Sequence, residues 1–288
     1  AESPRSYVTA YIVREKCDEP SNFRCEKTLD EYLKENNIPG VYDVDTREIT
    51  KIIRESGVMN AMICSDPRCF DEEKVKAYKV KNAVEAVSCE RPVPLAADKP
   101  LYNVVLLDYG KKENIARELV KRGCNVAVMP SGTKAEDVLK LDPDGIMLSN
   151  GPGDPAENTQ CIEELKKMIG KKPIFGICLG HQLLALAMGA ETEKLKYGHR
   201  GVNQPVKNLE TGRTYISSQN HGYAVVNESV ENCGGKISYV NANDGTNEGI
   251  DYPEKNAFSV QFHPEACSGP HDTRFLFDRF IKMMGGKG

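Results

Sequence analysis

No stretch of this 288-residue chain approaches the roughly 20 consecutive apolar residues that a helix needs to cross a bilayer. A membrane-spanning helix is therefore not expected. The opening residues, Ala1-Glu2-Ser3-Pro4-Arg5, lack the charged-then-apolar order of a secretory signal. There is no basic surplus either: 38 Lys and Arg face 42 Asp and Glu, a formal net charge of −4. Binding to nucleic acid or to an anionic membrane loses its usual electrostatic basis. Ten cysteines are present, but none forms C-x-x-C or C-x-x-C…H-x-x-x-H, so no structural metal is expected. Internal repeats and low-complexity tracts are also missing.

What is present fits a packed globular chain. Hydrophobic residues make up 40% and charged residues 28%, enough apolar material for a sizeable core. At roughly 100–200 residues per domain, the length predicts two domains. The cysteines sit in ordinary apolar segments, so reduced, mostly buried thiols in a cytoplasmic protein are expected.

The chain changes rhythm along its length. Residues 1–87 mix short strand-like runs (7–13 and 58–64) with short helices. Thr28 with Glu31 three residues on predicts a capped helix over 28–36, and a second over 45–56 ends at Gly57. Segments 71–79 and 81–87 read as helical. Three prolines within 91–100 then resist helix and mark a linker. The first domain with its linker is placed at 1–98, and the second at 99–288.

After the linker, strands at 102–107, 125–129, 145–149 and 173–177 alternate with helices at 112–122, 134–140, 157–169 and 179–188. This alternation predicts an α/β fold with a mostly parallel sheet and helices on both faces. Successive short strands fill 191–262, and a final helix covers 272–284. In such sheets, sites lie at the carboxyl ends of the strands.

Gly176-Ile177-Cys178-Leu179-Gly180 stands between a strand and an apolar helix. This is the strand–turn–helix setting of a nucleophile elbow. A sharp turn strains the central residue, and flanking glycines remove Cβ atoms that would collide. The side chain is presented at a helix N-terminus, where dipole and free amides favour a thiolate. The Leu179 amide is placed to donate to an oxyanion. The bland alternative is a buried cysteine beside two packing glycines.

Three further segments bear on that choice. Ser149-Asn150-Gly151-Pro152-Gly153-Asp154-Pro155 follows a strand and forms a rigid loop. It lacks the G-K-[ST] of a phosphate-binding loop, but can offer backbone amides to a carbonyl. Gln261-Phe262-His263-Pro264-Glu265 follows another strand and supplies a base and an orienting acid. Ser218-Gln219-Asn220-His221-Gly222-Tyr223 offers polar groups at a strand junction. Each, taken singly, also reads as an ordinary turn. His181 is expected to make a structural hydrogen bond, His199 to lie in a loop, and His271 to start the last helix. Lys111-Lys112 and Lys166-Lys167 read as solvated helix faces.

GICLGHQ (176–182), SNGPGDP (149–155), SQNHGYAV (218–225) and QFHPEA (261–266) together resemble the class I, or triad, glutamine amidotransferases, over 101–288. Ser21-Asn22-Phe23-Arg24, the run 38–50 with Asp45-Thr46-Arg47, Gly198-His199-Arg200-Gly201 and Gly269-Pro270-His271-Asp272 look like the small, glutamine-hydrolysing subunits of carbamoyl-phosphate synthases. The resemblance implies roles by position. Cys178 matches the nucleophile, His263 the base and Glu265 its orienting acid. Gly151 and Leu179 match backbone oxyanion and substrate contacts. Gly153, Gln182, Asn220, Gly222 and Tyr223 match the glutamine pocket, and Cys178 and Gln182, four apart, share one helical face. Family members usually begin well before the position of Ala1 and bring a serine to that pocket. No counterpart is found, so the N-terminal α/β domain reads as incomplete. The run Ala266-Cys267-Ser268-Gly269-Pro270 also departs from the family pattern, with little consequence expected.

The activity implied is release of ammonia from L-glutamine through a Cys178 thioester. The implied partner is a large synthetase subunit that makes carbamoyl phosphate from bicarbonate, ammonia and ATP. No cofactor is expected in this chain, and ATP with magnesium belongs to the partner. One rival is a glutaminase feeding anthranilate, GMP or CTP synthesis, against which the 1–87 region argues. A non-catalytic regulatory subunit is opposed by the intact Cys178, His263 and Glu265. A thiol hydrolase of γ-glutamyl peptides is opposed by Gln182 and the SNGPGDP loop, which favour free glutamine.

Overall fold

The computed structural model describes residues 2–3, 5–23 and 25–285. Ala1, Pro4 and Arg24, quoted above, lie outside the described residues. The chain divides into two compact units, Ala1–Tyr78 and Lys79–Gly288.

The first unit holds β1 (Tyr11–Ile12), α1 (Leu29–Glu35), β2 (Gly40–Val41), α2 (Thr46–Ser56) and α3 (Glu72–Ala77). Strands β1 and β2 pair in parallel. The expected caps are present. The Thr28 hydroxyl accepts from the Glu31 amide, and the Glu31 carboxylate accepts from the Thr28 amide, closing a capping box. Asp45 caps α2, which stops at Gly57 with φ 88°. Only 11–12 of the expected strand 7–13 is paired, and 58–64 forms no strand. A strand-like composition becomes a strand only where a partner offers hydrogen bonds. Among the described residues of this unit, Ile38 is the buried hydrophobic side chain, so its core is small.

The second unit begins with α4 (Ala83–Val87) and β3 (Val93–Leu95). It continues through β4 (Tyr102–Asp108), α5 (Glu113–Lys121), β5 (Cys124–Pro130), α6 (Ala135–Lys140), β6 (Gly145–Leu148), α7 (Thr159–Met168), β7 (Ile174–Ile177) and α8 (Leu179–Met188). The rest is β8 (Thr192–Asn208), β9 (Thr214–Val225), α9 (Asn227–Val230), β10 (Lys236–Asn241), β11 (Asn247–Tyr252), β12 (Ala257–Val260) and α10 (Phe275–Met283). Ten strands form one sheet in the order β3-β5-β4-β6-β7-β12-β11-β10-β8-β9. Strands β5, β4, β6, β7 and β12 run parallel, as the βαβ rhythm predicts.

These strands are apolar throughout because both faces are covered. Along β4, Val105 and Leu107 pack with Leu165, Met168, Leu183 and Leu184 on one face. Val104 and Leu106 pack with Ile115, Leu119, Phe277 and Phe280 on the other.

The proline-rich stretch 91–100, read as linker, carries β3, which pairs antiparallel with β5. The structural division thus falls after Tyr78 rather than at the 98/99 position read from the prolines. An edge strand tolerates the missing amide of Pro94, and the buried Val84 joins the core of the second unit. Among the described residues, no helix is long and apolar enough to cross a membrane.

Candidate active site

Register brings the predicted residues together. Val260 of β12 lies beside Ile177 of β7, in parallel. The chain therefore leaves both strands at one edge, with Cys178 after β7 and His263 three residues after β12. Leu148 of β6 lies beside Gly176 and beside Leu107 of β4, so the loop 149–155 emerges at the same edge.

Cys178 caps α8 with φ 54° and ψ −103°. Few non-glycine residues adopt such angles, and they cost about 1–3 kcal/mol. The strained turn is held from both sides. The Cys178 amide donates to the Val260 carbonyl at 2.8 Å, and its own carbonyl accepts from the Gln182 amide at 3.2 Å. The flanking glycines are needed for close approach. A Cβ on Gly176 would lie 2.7 Å from the Gly180 carbonyl oxygen, and one on Gly180 would lie 2.6 Å from the Leu148 carbonyl oxygen. Leu179 is the first residue of α8, where helix amides have no acceptor within the helix.

His263 Nδ1 lies 2.8 Å from Glu265 Oε1, and the imidazole is also hydrogen-bonded to Cys178. Burial opposes a charge on His263. The Glu265 carboxylate and Cys178 outweigh it and hold the imidazole well above its ordinary value. Cys178, His263 and Glu265 thus form one connected group, with Cys178 and Glu265 buried.

The glycine-rich loop is tied down rather than free. Ser149 Oγ accepts from the Tyr109 amide at 2.9 Å, and Asn150 Oδ1 accepts from the Lys112 amide at 2.9 Å. The Gly180 amide donates to the Ser149 carbonyl at 3.0 Å, joining loop and elbow. Gly151 lies where a Cβ would strike the Tyr109 carbonyl and the Leu179 side chain. Gly153 takes φ 91°.

Strand β9 closes the site from the other side. The His263 amide donates to the Ser218 carbonyl at 2.9 Å. Gln182 Nε2 donates to the Tyr223 carbonyl and to Gln261 Oε1, each at 2.8 Å. The Tyr223 hydroxyl is hydrogen-bonded to Asp154 of the glycine-rich loop. Asn220 is exposed, and Gly222 is partly exposed beside it. The four motifs therefore meet at one edge of the sheet.

Several side chains here carry no signal of their own in the sequence. Gln261 is fully buried against Gln182, and Asp154 reaches Tyr223 across 69 positions of chain. The Asn114 side chain donates to the Glu265 carbonyl at 3.2 Å. His181 is structural as expected: it is fully buried, and its Nδ1 lies 2.8 Å from Ser259 Oγ. Burial, then the neighbouring His221, pushes its pKa down to about 3.

His199 is not in a loop. It stands in β8 directly across from His221 of β9, and its Nε2 lies 2.8 Å from Asp244 Oδ2. Its neighbours Asp244 and Glu248 come from 45 and 49 positions downstream, beyond the reach of any local pattern. His271 precedes α10 by four positions rather than starting it, because the helix begins only at Phe275. Lys111 lies before α5, paired with Glu113, instead of on a solvated helix face.

Comparison with known proteins shows the family and the fold. Residues 105–283 match the model of the glutamine amidotransferase class-I family. Residues 1–63 match the carbamoyl-phosphate synthase small chain, CPSase domain. The chain is 52% identical to a carbamoyl phosphate synthase small chain of Bacillus cereus, covering 98% of this chain and 78% of that one. It is 49% identical to the protein of the same name from Clostridium perfringens, covering 98% and 80%. Among solved structures, a Thermoplasma acidophilum protein described as a GMP synthase subunit superposes with a TM-score of 0.56 at 23% identity. That match covers 63% of this chain and 93% of the other, and shows the shared fold.

Proposed function

The chain belongs to the carbamoyl-phosphate synthase small-chain family, a group of glutamine-hydrolysing class I amidotransferases, and on that premise we propose that it releases ammonia from L-glutamine and delivers it to a large synthetase subunit. The observation that carries this reading is the parallel register of β7 and β12. It sets Cys178 beside His263, with Glu265 behind it.

The chemistry follows from these positions. Cys178 Sγ attacks the side-chain carbonyl of glutamine, forming a tetrahedral adduct. The Leu179 amide and the backbone around Gly151 face the oxygen on which charge develops. His263, kept protonated by Glu265, gives its proton to the departing nitrogen, and ammonia leaves. The resulting glutamyl thioester is cleaved by water, from which His263 now takes a proton, returning glutamate and the free thiol. Gln182 holds the Tyr223 carbonyl in place, so the pocket strand stays in register with the elbow.

Ammonia at neutral pH is mostly ammonium, which is a poor nucleophile. Passing it directly to a partner keeps it unprotonated. Under this reading ATP and magnesium serve the large subunit, and the hydrolysis itself draws on the residues named above.

The test is ammonia release from glutamine by this chain alone and with a large carbamoyl-phosphate synthase subunit, ATP and bicarbonate. Strong stimulation by the partner, with carbamoyl phosphate formed, is expected. Release that ignores the partner would contradict the coupled role and leave a free-standing glutaminase.

A further inference from the structure

His199, His221 and Glu248 form a second cluster of ligand-type side chains, separate from the triad. His199 and His221 are direct partners across the antiparallel β8–β9 pair, so their side chains share a face. Glu248 comes from β11, which β10 separates from β8 in the sheet. One donor atom from each lies within 4.8 Å of the other two.

We propose that these three residues bind a divalent transition metal of the zinc class, as a clip that fastens β8 and β9 to β11. Donors about 2.0–2.1 Å from a tetrahedral zinc lie roughly 3.3–3.4 Å apart. His199 Nδ1 is already 3.4 Å from Glu248 Oε1, and His221 Nε2 is 4.0 Å from it. All three donors lie within 4.8 Å of one another, so closing the set needs the side chains to draw together by at most about 1.5 Å in any pair.

Each imidazole is oriented as a metal ligand is. A ligating histidine usually donates its other ring N–H to a carboxylate or backbone carbonyl, which fixes the tautomer. His199 Nε2 lies 2.8 Å from the Asp244 carboxylate, leaving Nδ1 directed at the cluster. His221 Nδ1 lies 2.8 Å from the Tyr223 carbonyl. A carbonyl only accepts, so Nδ1 carries the proton; Nε2 lies 3.2 Å from Gln219 Oε1 and presents its lone pair to a metal once that side-chain amide turns over or aside.

The third ligand supplies independent support. Glu248 is fully buried, and its Oε2 has no hydrogen-bond partner. Its carboxylate also meets a long 3.4 Å contact from Asn241 Nδ2 to Oε1 and a hydrogen bond from the Gln219 side chain. A buried carboxylate oxygen left unpaired is costly, and a cation removes that cost. Two histidines and one glutamate make an oxygen and nitrogen donor set suited to zinc, with a position left for water.

The competing occupant is a proton. An imidazolium at His199 between Asp244 and Glu248 would balance charge without any metal. The two readings part in a titration of the chelator-treated full chain with Co²⁺. We expect one equivalent to bind with the visible bands of tetrahedral cobalt and no thiolate charge-transfer band, and Zn²⁺ to displace it. His199→Asn and Glu248→Gln should lose the bands. Asp244→Asn changes a half-exposed side chain and leaves the three ligands present, so it covers the case in which the buried variants fail to fold. It should weaken binding by about 10–100-fold. Absence of tetrahedral bands in the folded wild type, or equal binding by wild type and Asp244→Asn, would overturn the proposal in favour of the shared proton.

Discussion

At Cys178 a backbone penalty of about 1–3 kcal/mol is held in place by the hydrogen bond to Val260 and by the packing of α8. The thiol is thereby set against His263. Other buried thiols have no such neighbour. Burial pushes Cys124 up to about 12 and Cys161 up to about 11, so neither ionises near neutral pH. A glutamine-like electrophile should therefore label Cys178 in a glutamine-protectable way and leave Cys124 and Cys161 untouched, which peptide mass mapping checks. His263 sets the pH range. Its raised value keeps the imidazolium charged to higher pH, and the active pair is lost as pH rises through that value. Glu265→Gln removes the carboxylate that raises it, so the alkaline limb of kcat/KM for glutamine should move to lower pH. An unmoved limb would detach Glu265 from His263. Removing the base itself, as in His263→Asn, should cost on the order of 10²–10⁴ in rate.

At the scale of elements, the elbow depends on how closely α8 approaches β6 and β7. A Cβ on Gly180 meets the Leu148 carbonyl, a backbone group that cannot swing aside. Gly180→Ala should destabilise the protein by about 1–3 kcal/mol and lower kcat through displacement of Cys178. Denaturant melts read alongside ammonia release check both parts. Gln182→Ala acts on the neighbouring strand. It removes the donor shared by Tyr223 and Gln261, and a buried acceptor left unmet costs about 1–3 kcal/mol. Its main signature should be a raised KM for glutamine as β9 loosens. Much of this was legible in the sequence because it is local: flanking glycines, a strand before and a helix after Cys178, and a proline between His263 and Glu265. What stayed hidden depends on pairing between distant segments. His199 reads as a loop residue until β9 is laid beside it, and 91–100 reads as linker until β5 offers Val93–Leu95 an edge.

At the scale of the whole molecule, the two units differ in how they are held. The second has two extensive cores, one on each face of its sheet. The first buries Ile38 among its described hydrophobic residues and relies on helix caps and surface ion pairs such as Lys34–Asp30. Exposed pairs of that kind contribute little. Amide hydrogen exchange should therefore be fast across 2–78 and slow in β4, β6, β7 and β12. Uniform protection across both units would contradict this difference.

The mechanism turns on Cys178, and the deciding measurement is ammonia release by Cys178→Ser against wild type, with glutamine and the large synthetase partner present. The variant should fold, as its circular dichroism will show, and release no ammonia above the buffer rate. Release at the wild-type rate would remove Cys178 from the mechanism and the elbow from its proposed role.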